Sequence, residues 1–169
     1  IREFETGGSS AGSGTATAAN YAVAAIGTET AGSIISPSSQ NALVGLKPTP
    51  GVLSRTGIVP ISHTLDTPGP MAKSVVDASI VMDAMRGEDV NDYKSVRSND
   101  TYLLKEKNDS FMFRFGVIKD LLEEPLYAAA VAKLKASGIE VIEIDPERKP
   151  LDGFSTLLNL EMKEELPKY

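Results

Sequence analysis

Two serines carry the spacing and the neighbours that chemistry needs. Ser9 follows Gly7-Gly8, and Ser33 follows Ala31-Gly32 twenty-four positions later. A glycine ahead of a serine lets the backbone turn tightly and expose the hydroxyl. Such a hydroxyl attacks a carbonyl once a base takes its proton. The small residues before Ser33 (Gly27-Thr28-Glu29-Thr30-Ala31-Gly32) can aim several backbone N–H groups into one concavity. Donors of that kind stabilise the oxyanion of acyl transfer by roughly 3–4 kcal/mol each. If Ser33 opens a helix, the helix N-terminus adds positive potential there.

The base is open on residue types alone. His63 is the sole histidine and reads as a turn residue or a buried polar contact. Lys47, in Gly45-Leu46-Lys47-Pro48, reads as an ordinary surface lysine. Asp66 sits among prolines and glycines and reads as a turn hydrogen-bonder rather than an acid catalyst. Arg55 is a weaker candidate for meeting a substrate carboxylate. One histidine and no cysteine exclude disulfides, thiolate nucleophiles and multi-histidine metal sites within the chain.

The elements that must position the serines follow from local pattern. Ser9 to Gly14 reads as a small-residue loop running into an alanine-rich helix over 15–20. Tyr21 to Gly27 is a short apolar run, a buried strand in expectation. Thr28 to Gly32 reads as a loop, with Ser33 opening a short helix or turn before Pro37. Leu43 to Leu46 is a second strand candidate, and the proline and glycine density over 48–70 predicts irregular backbone. Ser74 caps a helix over 75–85 that stops at Gly87. Asp89 to Asn108 is polar and reads as a surface excursion. Phe113 to Ile118 predicts a strand, Leu121 to Ala136 a helix ended by Gly138, and Ile139 to Ile144 a strand. That order implies a βαβ unit with a right-handed crossover. A last helix is expected over 154–166. The class is α/β, read as a signature core at 1–87 and a βαβ-containing continuation at 88–169.

Composition sets the outer limits. At 169 residues with 41% hydrophobic and 24% charged, the chain can bury a real core and is not grossly disordered. Its formal net charge of −6 argues against direct nucleic-acid binding, which needs basic clusters. No apolar run reaches the ~18 residues of a membrane span. The lack of cysteine suits a reducing, cytoplasmic setting. The first residues, Ile1-Arg2-Glu3-Phe4, suggest a piece taken from inside a longer protein.

From Gly7 to Met85 the chain resembles the amidase signature family. The family's Gly-Gly-Ser-Ser-Gly-Gly stands here as Gly7-Gly8-Ser9-Ser10-Ala11-Gly12. Its Gly-Thr-Asp-x-Gly-Gly-Ser-Ile stands here as Gly27-Thr28-Glu29-Thr30-Ala31-Gly32-Ser33-Ile34. Val44 to Thr49, Ser54 to Gly57 and Leu65 to Met71 follow in the family's order. The resemblance implies a mixed sheet sandwiched by helices, present here as a partial domain. It implies Ser33 as nucleophile and Ser9 as proton relay, with a cis Gly8–Ser9 peptide. It also implies the backbone N–H groups of Thr30, Ala31, Gly32 and Ser33 as oxyanion loop, and Ser10 and Gly8 as supports. The family's base is a buried, neutral lysine upstream of Ser9. Only eight residues precede Ser9 and none is lysine, so the base is expected outside this chain and the piece alone is expected to be inactive. Lys47 matches a different family position. No metal or organic cofactor is implied, and the substrate is a small-molecule or peptide amide.

Three departures are visible. Glu29 stands where aspartate is common, Ala31 replaces a glycine, and Ile35-Ser36 follow where many members carry arginine. They favour a general or peptide amidase. The alternative is the glutaminase component of a glutamyl-tRNA amidotransferase, which works with partner subunits. A third reading is a non-catalytic glycine-rich ligand-binding module, although Gly7 to Gly14 lacks the Lys-Ser/Thr of a phosphate loop.

Overall fold

The computed structural model describes residues 5–97, 101–103, 114–146 and 151–169. In chain order the elements are α1 (Ala11–Ala18), β1 (Ala24–Glu29), α2 (Ile35–Gln40), β2 (Val44–Gly45), β3 (Thr67–Ala72), α3 (Val75–Met85), β4 (Arg114–Ile118), α4 (Pro125–Ala136), β5 (Glu140–Ile144) and α5 (Phe154–Glu165), with 3₁₀ turns at Lys119–Glu123 and Leu166–Lys168. The expected α/β class is observed. The chain forms two compact units, one from residues 1–104 with 153–169 and one from 105–152.

The first unit holds both serines. Its sheet runs β1-β3-β2, all antiparallel, from Ala24↔Ala72 to Glu29↔Thr67 on one side of β3 and Val44↔Ala72, Gly45↔Met71 on the other. Every residue of β3 is buried. The irregular backbone expected over 48–70 therefore ends at Asp66, because Thr67-Pro68-Gly69-Pro70 is the central strand. Proline removes a ladder donor and normally avoids that place. Here the Pro70 carbonyl accepts from the Leu46 N–H at 3.0 Å, so Pro70 turns its backbone groups toward β2. Strand alternation turns those of Pro68 the same way. Since β2 has only two residues, the missing donors fall where the partner strand is short.

The strand glycines leave room for the Met71 sulfur at Gly27, the Ser38 hydroxyl at Gly45 and the Leu46 carbonyl at Gly69, and all three also border Ile34. Ile34 is fully buried. A Cβ built on Gly27, Gly45 or Gly69 would come within 3.1, 3.1 and 2.9 Å of Ile34 side-chain atoms. One glycine from each strand thus clears a seat for the residue after Ser33. Burial of an isoleucine of this kind stabilises by about 1.5–3 kcal/mol.

Several boundaries move from the sequence expectation. The first helix starts at Ala11, inside the stretch read as loop, with the Thr15 and Thr17 hydroxyls bonding back to the carbonyls of Ala11 and Ser13. Strand β1 begins three residues later than expected and ends two later, because pairing with β3 sets it, and Tyr21 and Val23 stay exposed. The Ser74 hydroxyl accepts from the Asp77 N–H at 3.1 Å and starts α3 as expected. The polar stretch after Asp89 is not simply a surface excursion. Asp92 is 6% exposed and grips the 54–56 loop. Residues 98–100 and 104–108 of that stretch lie outside the described residues.

The second unit is a βαβ unit with β4 and β5 parallel, Arg114↔Glu140 to Ile118↔Ile144. Val117 and Val131 form its buried centre. The helix expected from Leu121 begins at Pro125 instead. Proline has no N–H for the Leu121 carbonyl, so the chain makes a separate 3₁₀ turn first, closed by the Glu124 N–H on that carbonyl at 3.0 Å. Among the described residues no helix is long and apolar enough to cross a membrane.

Candidate active site

Ser10 joins the two serine-bearing segments. Its backbone N–H donates to the Ser33 carbonyl at 3.1 Å. Its hydroxyl donates to the Thr28 carbonyl and accepts from the Thr28 N–H, each at 3.0 Å. Ser10 occupies the N-cap of α1 yet makes no side-chain cap bond, since Thr28 holds its hydroxyl. A serine cap is typically worth about 0.5–2 kcal/mol, and here that contact gives way to a long-range tie. The Ser13 hydroxyl adds a second tie, to the Ile26 carbonyl at 2.8 Å. The Gly8–Ser9 peptide is cis. Ser9 is exposed and Ser33 half-buried.

The segment from Glu29 to Ile35 is braced from below. Glu29, 6% exposed, accepts from the Ile34 N–H at 2.8 Å and the Ile35 N–H at 3.0 Å. Those are the first donors of α2, and an anion there complements the helix terminus. The positive potential expected to reach Ser33 from the helix is therefore engaged by the protein's own carboxylate. Ser33 itself lies in the turn before α2, closed by the Ser36 N–H on the Gly32 carbonyl at 2.8 Å. Gly32 takes the left-handed backbone (φ +91°) that this turn requires. Ala31 is not among the positive-φ residues, so alanine in place of the family's glycine is accommodated without strain.

The other candidates are committed elsewhere. The Lys47 ammonium donates to the Pro48 carbonyl at 2.8 Å. His63 faces Glu161 and Glu165 at 3.4 and 3.8 Å. Arg55 makes a bidentate pair with buried Asp92, donates to the His63 carbonyl and lies over the Tyr93 ring. The hydrogen bond to Asp92 raises the Arg55 pKa, and the Arg55 fork lowers that of Asp92 to about 2. Asp89 is also lowered to about 2, by the Ser54 and Thr56 hydroxyls. A cavity of about 380 Å³ borders Arg55, His63, Asp66, Tyr93 and Lys168, and neither Ser9 nor Ser33 lines it. Arg55, His63 and Lys168 face carboxylates, and Asp66 is held by a hydroxyl and two backbone N–H groups, so the cavity offers structure rather than reactive groups.

Sequence reasoning missed Glu161. This α5 carboxylate is 7% exposed and accepts from the Ser62 and Thr64 hydroxyls, ninety-odd positions away in sequence. Burial pushes its pKa up, but those hydroxyl bonds prevail and hold it below the usual range. A glutamate on a helix that also carries Lys163, Glu164 and Glu165 gives no sequence signal for such a role.

The Amidase family model matches residues 2–160, and the chain belongs to that family. It is 38% identical over 153 residues, 87% of its length, to a glutamyl-tRNA(Gln) amidotransferase component from Helicobacter pylori. Among solved structures it superposes on the native peptide amidase of Stenotrophomonas maltophilia with a TM-score of 0.81 at 38% identity, over 98% of this chain and 36% of that one. An amidase family protein of Bacillus anthracis gives 0.84 at 34% identity, over 98% and 35%. The chain spans about a third of the length of the curated relatives it matches (33% for the Helicobacter protein).

Proposed function

We propose that the protein carrying this chain hydrolyses carboxylic amides through an acyl-enzyme on Ser33. The observation that carries the reading is the Ser10 tie, which brings the segments of Ser9 and Ser33 together. The Ser33 hydroxyl attacks the amide carbonyl, and its proton passes through Ser9 to a neutral lysine on a segment outside this chain. The same relay protonates the departing amine or ammonia. Water then adds to the acyl-enzyme and releases the acid, returning the proton to Ser33. No step needs a metal or organic cofactor. Thr30, Ala31 and Gly32 supply the oxyanion loop. In support, the N–H groups of Ala31, Gly32 and Ser33 donate to no acceptor among the described residues, whereas those of Ile34 and Ile35 are taken by Glu29. Without the lysine, the 169-residue piece is inactive by itself. The substrate is a small-molecule or peptide amide, and the compartment is the cytoplasm, in keeping with a cysteine-free chain.

The likeness to the Helicobacter amidotransferase favours a second reading, in which the same serines release ammonia from glutamine for partner subunits. Assays of the whole protein on simple and peptide carboxamides and on glutamine separate the two. The first reading expects turnover of carboxamides without partners, abolished by Ser33→Ala. Glutamine turnover that requires partners favours the second. Full activity of Ser33→Ala contradicts both.

A further inference from the structure

Thr30 opens the candidate oxyanion loop, and its hydroxyl is already spoken for. It donates to Asp66 Oδ1 at 2.5 Å. Asp66 is 6% exposed, and its Oδ2 accepts the N–H groups of Ile61 at 2.7 Å and Ser62 at 2.8 Å. A buried carboxylate is tolerated only with donors of this number and geometry. The turn at 61–66 closes on itself through the Asp66 N–H to the Ser62 carbonyl at 2.9 Å. Glu161 then anchors that turn to α5 through Ser62 and Thr64.

We propose that Asp66 is a positioning residue that sets the oxyanion loop through the Thr30 hydroxyl. The inference rests on the reading of Ser33 as nucleophile. Thr30 is β-branched and stiff at χ1, so fixing its hydroxyl fixes the residue and the peptide that carries the Ala31 N–H. Oxyanion donors act only when aimed at the developing charge, and small misplacement is expensive. Asp66 never touches substrate. It holds the loop in its working shape, and Glu161 stiffens what Asp66 stands on. Glu29 does the complementary task at the other end, behind Ile34 and Ile35. The loop is thus pinned at both ends by buried carboxylates while its middle N–H groups stay available.

The test uses the whole protein and a carboxamide substrate. Thr30→Val keeps the shape and removes the hydroxyl, whereas Thr30→Ser restores it. Thr30→Val is expected to lower kcat by about tenfold to a hundredfold, with KM held within about twofold. Thr30→Ser is expected to stay within about threefold of wild type in kcat. Asp66→Asn combined with Thr30→Val is expected to be no slower than the slower single variant, because both break one contact. Wild-type kcat in Thr30→Val overturns the proposal, and so does an equal loss in Thr30→Val and Thr30→Ser. Ser33→Ala, run alongside, separates the two claims. If it retains activity, the nucleophile reading fails whatever Thr30 does. If it is dead while Thr30→Val is fully active, only the positioning role fails.

Discussion

The unit that bears the serines and the βαβ unit are built on different physics. In the βαβ unit, two parallel strands and one helix close over Val117 and Val131, and among the described residues the one side chain that bonds backbone of another element is Tyr127, whose hydroxyl accepts from the Ile118 N–H. In the serine-bearing unit, side chains repeatedly bond backbone outside their own turn or helix: Ser10 to Thr28, Glu29 to Ile34, Asp66 to Ile61, Asp92 to Arg55, Glu161 to Thr64, and Asp66 also takes the Thr30 hydroxyl. Glycines on three strands clear a seat for Ile34. Periodic apolar contacts suffice to make a scaffold. A turn that must present a serine and free N–H groups needs individual, long-range polar ties, and those ties are where it breaks.

The largest expected effect falls on the Arg55–Asp92 pair. Asp92→Ala strands a largely buried guanidinium and should destabilise the serine-bearing unit by about 3–5 kcal/mol in urea unfolding. Acid acts on the same ties more weakly. The Asp89 and Asp92 pKa values are depressed to about 2, so their stabilisation is complete above the ordinary carboxylate range near pH 4. It is lost as pH falls from about 4 toward 2. Hydrogen exchange should show protection at 54–56 and 89–95 falling over that window. Gly27→Ala brings a Cβ to 2.8 Å from the Met71 sulfur and 3.0 Å from the Ser10 hydroxyl, and should cost about 1–3 kcal/mol by calorimetry. In the βαβ unit Val131→Ala should cost about 1–2 kcal/mol, a plain loss of buried methyl groups. Leu126→Gln, on a side chain 88% exposed, should change stability by less than about 0.5 kcal/mol. A βαβ unit as sensitive to single polar changes as its neighbour would break the comparison.

The same contrast explains what the sequence disclosed. Ser74 as a cap, Gly138 after Ala136 and the alternation at Ile139 to Ile144 are local signals, and each marks an element that is present. Strand β3 was hidden, because two prolines and a glycine mark a turn locally and only the shortness of β2 makes them tolerable in a central strand. Ser9, Ser10 and Ser33 were legible as a spaced motif with small neighbours. The roles of Asp92 and Glu161 were not, since each depends on which groups a distant part of the fold delivers, and that of Glu29 depends on the turn that brings the Ile34 and Ile35 N–H groups back to it. Asp66 was legible in part. Its bonds to the Ile61 and Ser62 N–H groups are the turn expected of it, and its bond to Thr30, thirty-six positions away, is not a turn at all.

The central claim is that Ser33 is the nucleophile, and covalent labelling tests it most directly. The whole protein should be treated with a serine-directed fluorophosphonate and the modified peptide identified by mass spectrometry. The account predicts one adduct, on Ser33, that blocks amide hydrolysis and disappears in Ser33→Ala. An inactivating adduct on another residue, with Ser33 unmodified, would contradict it.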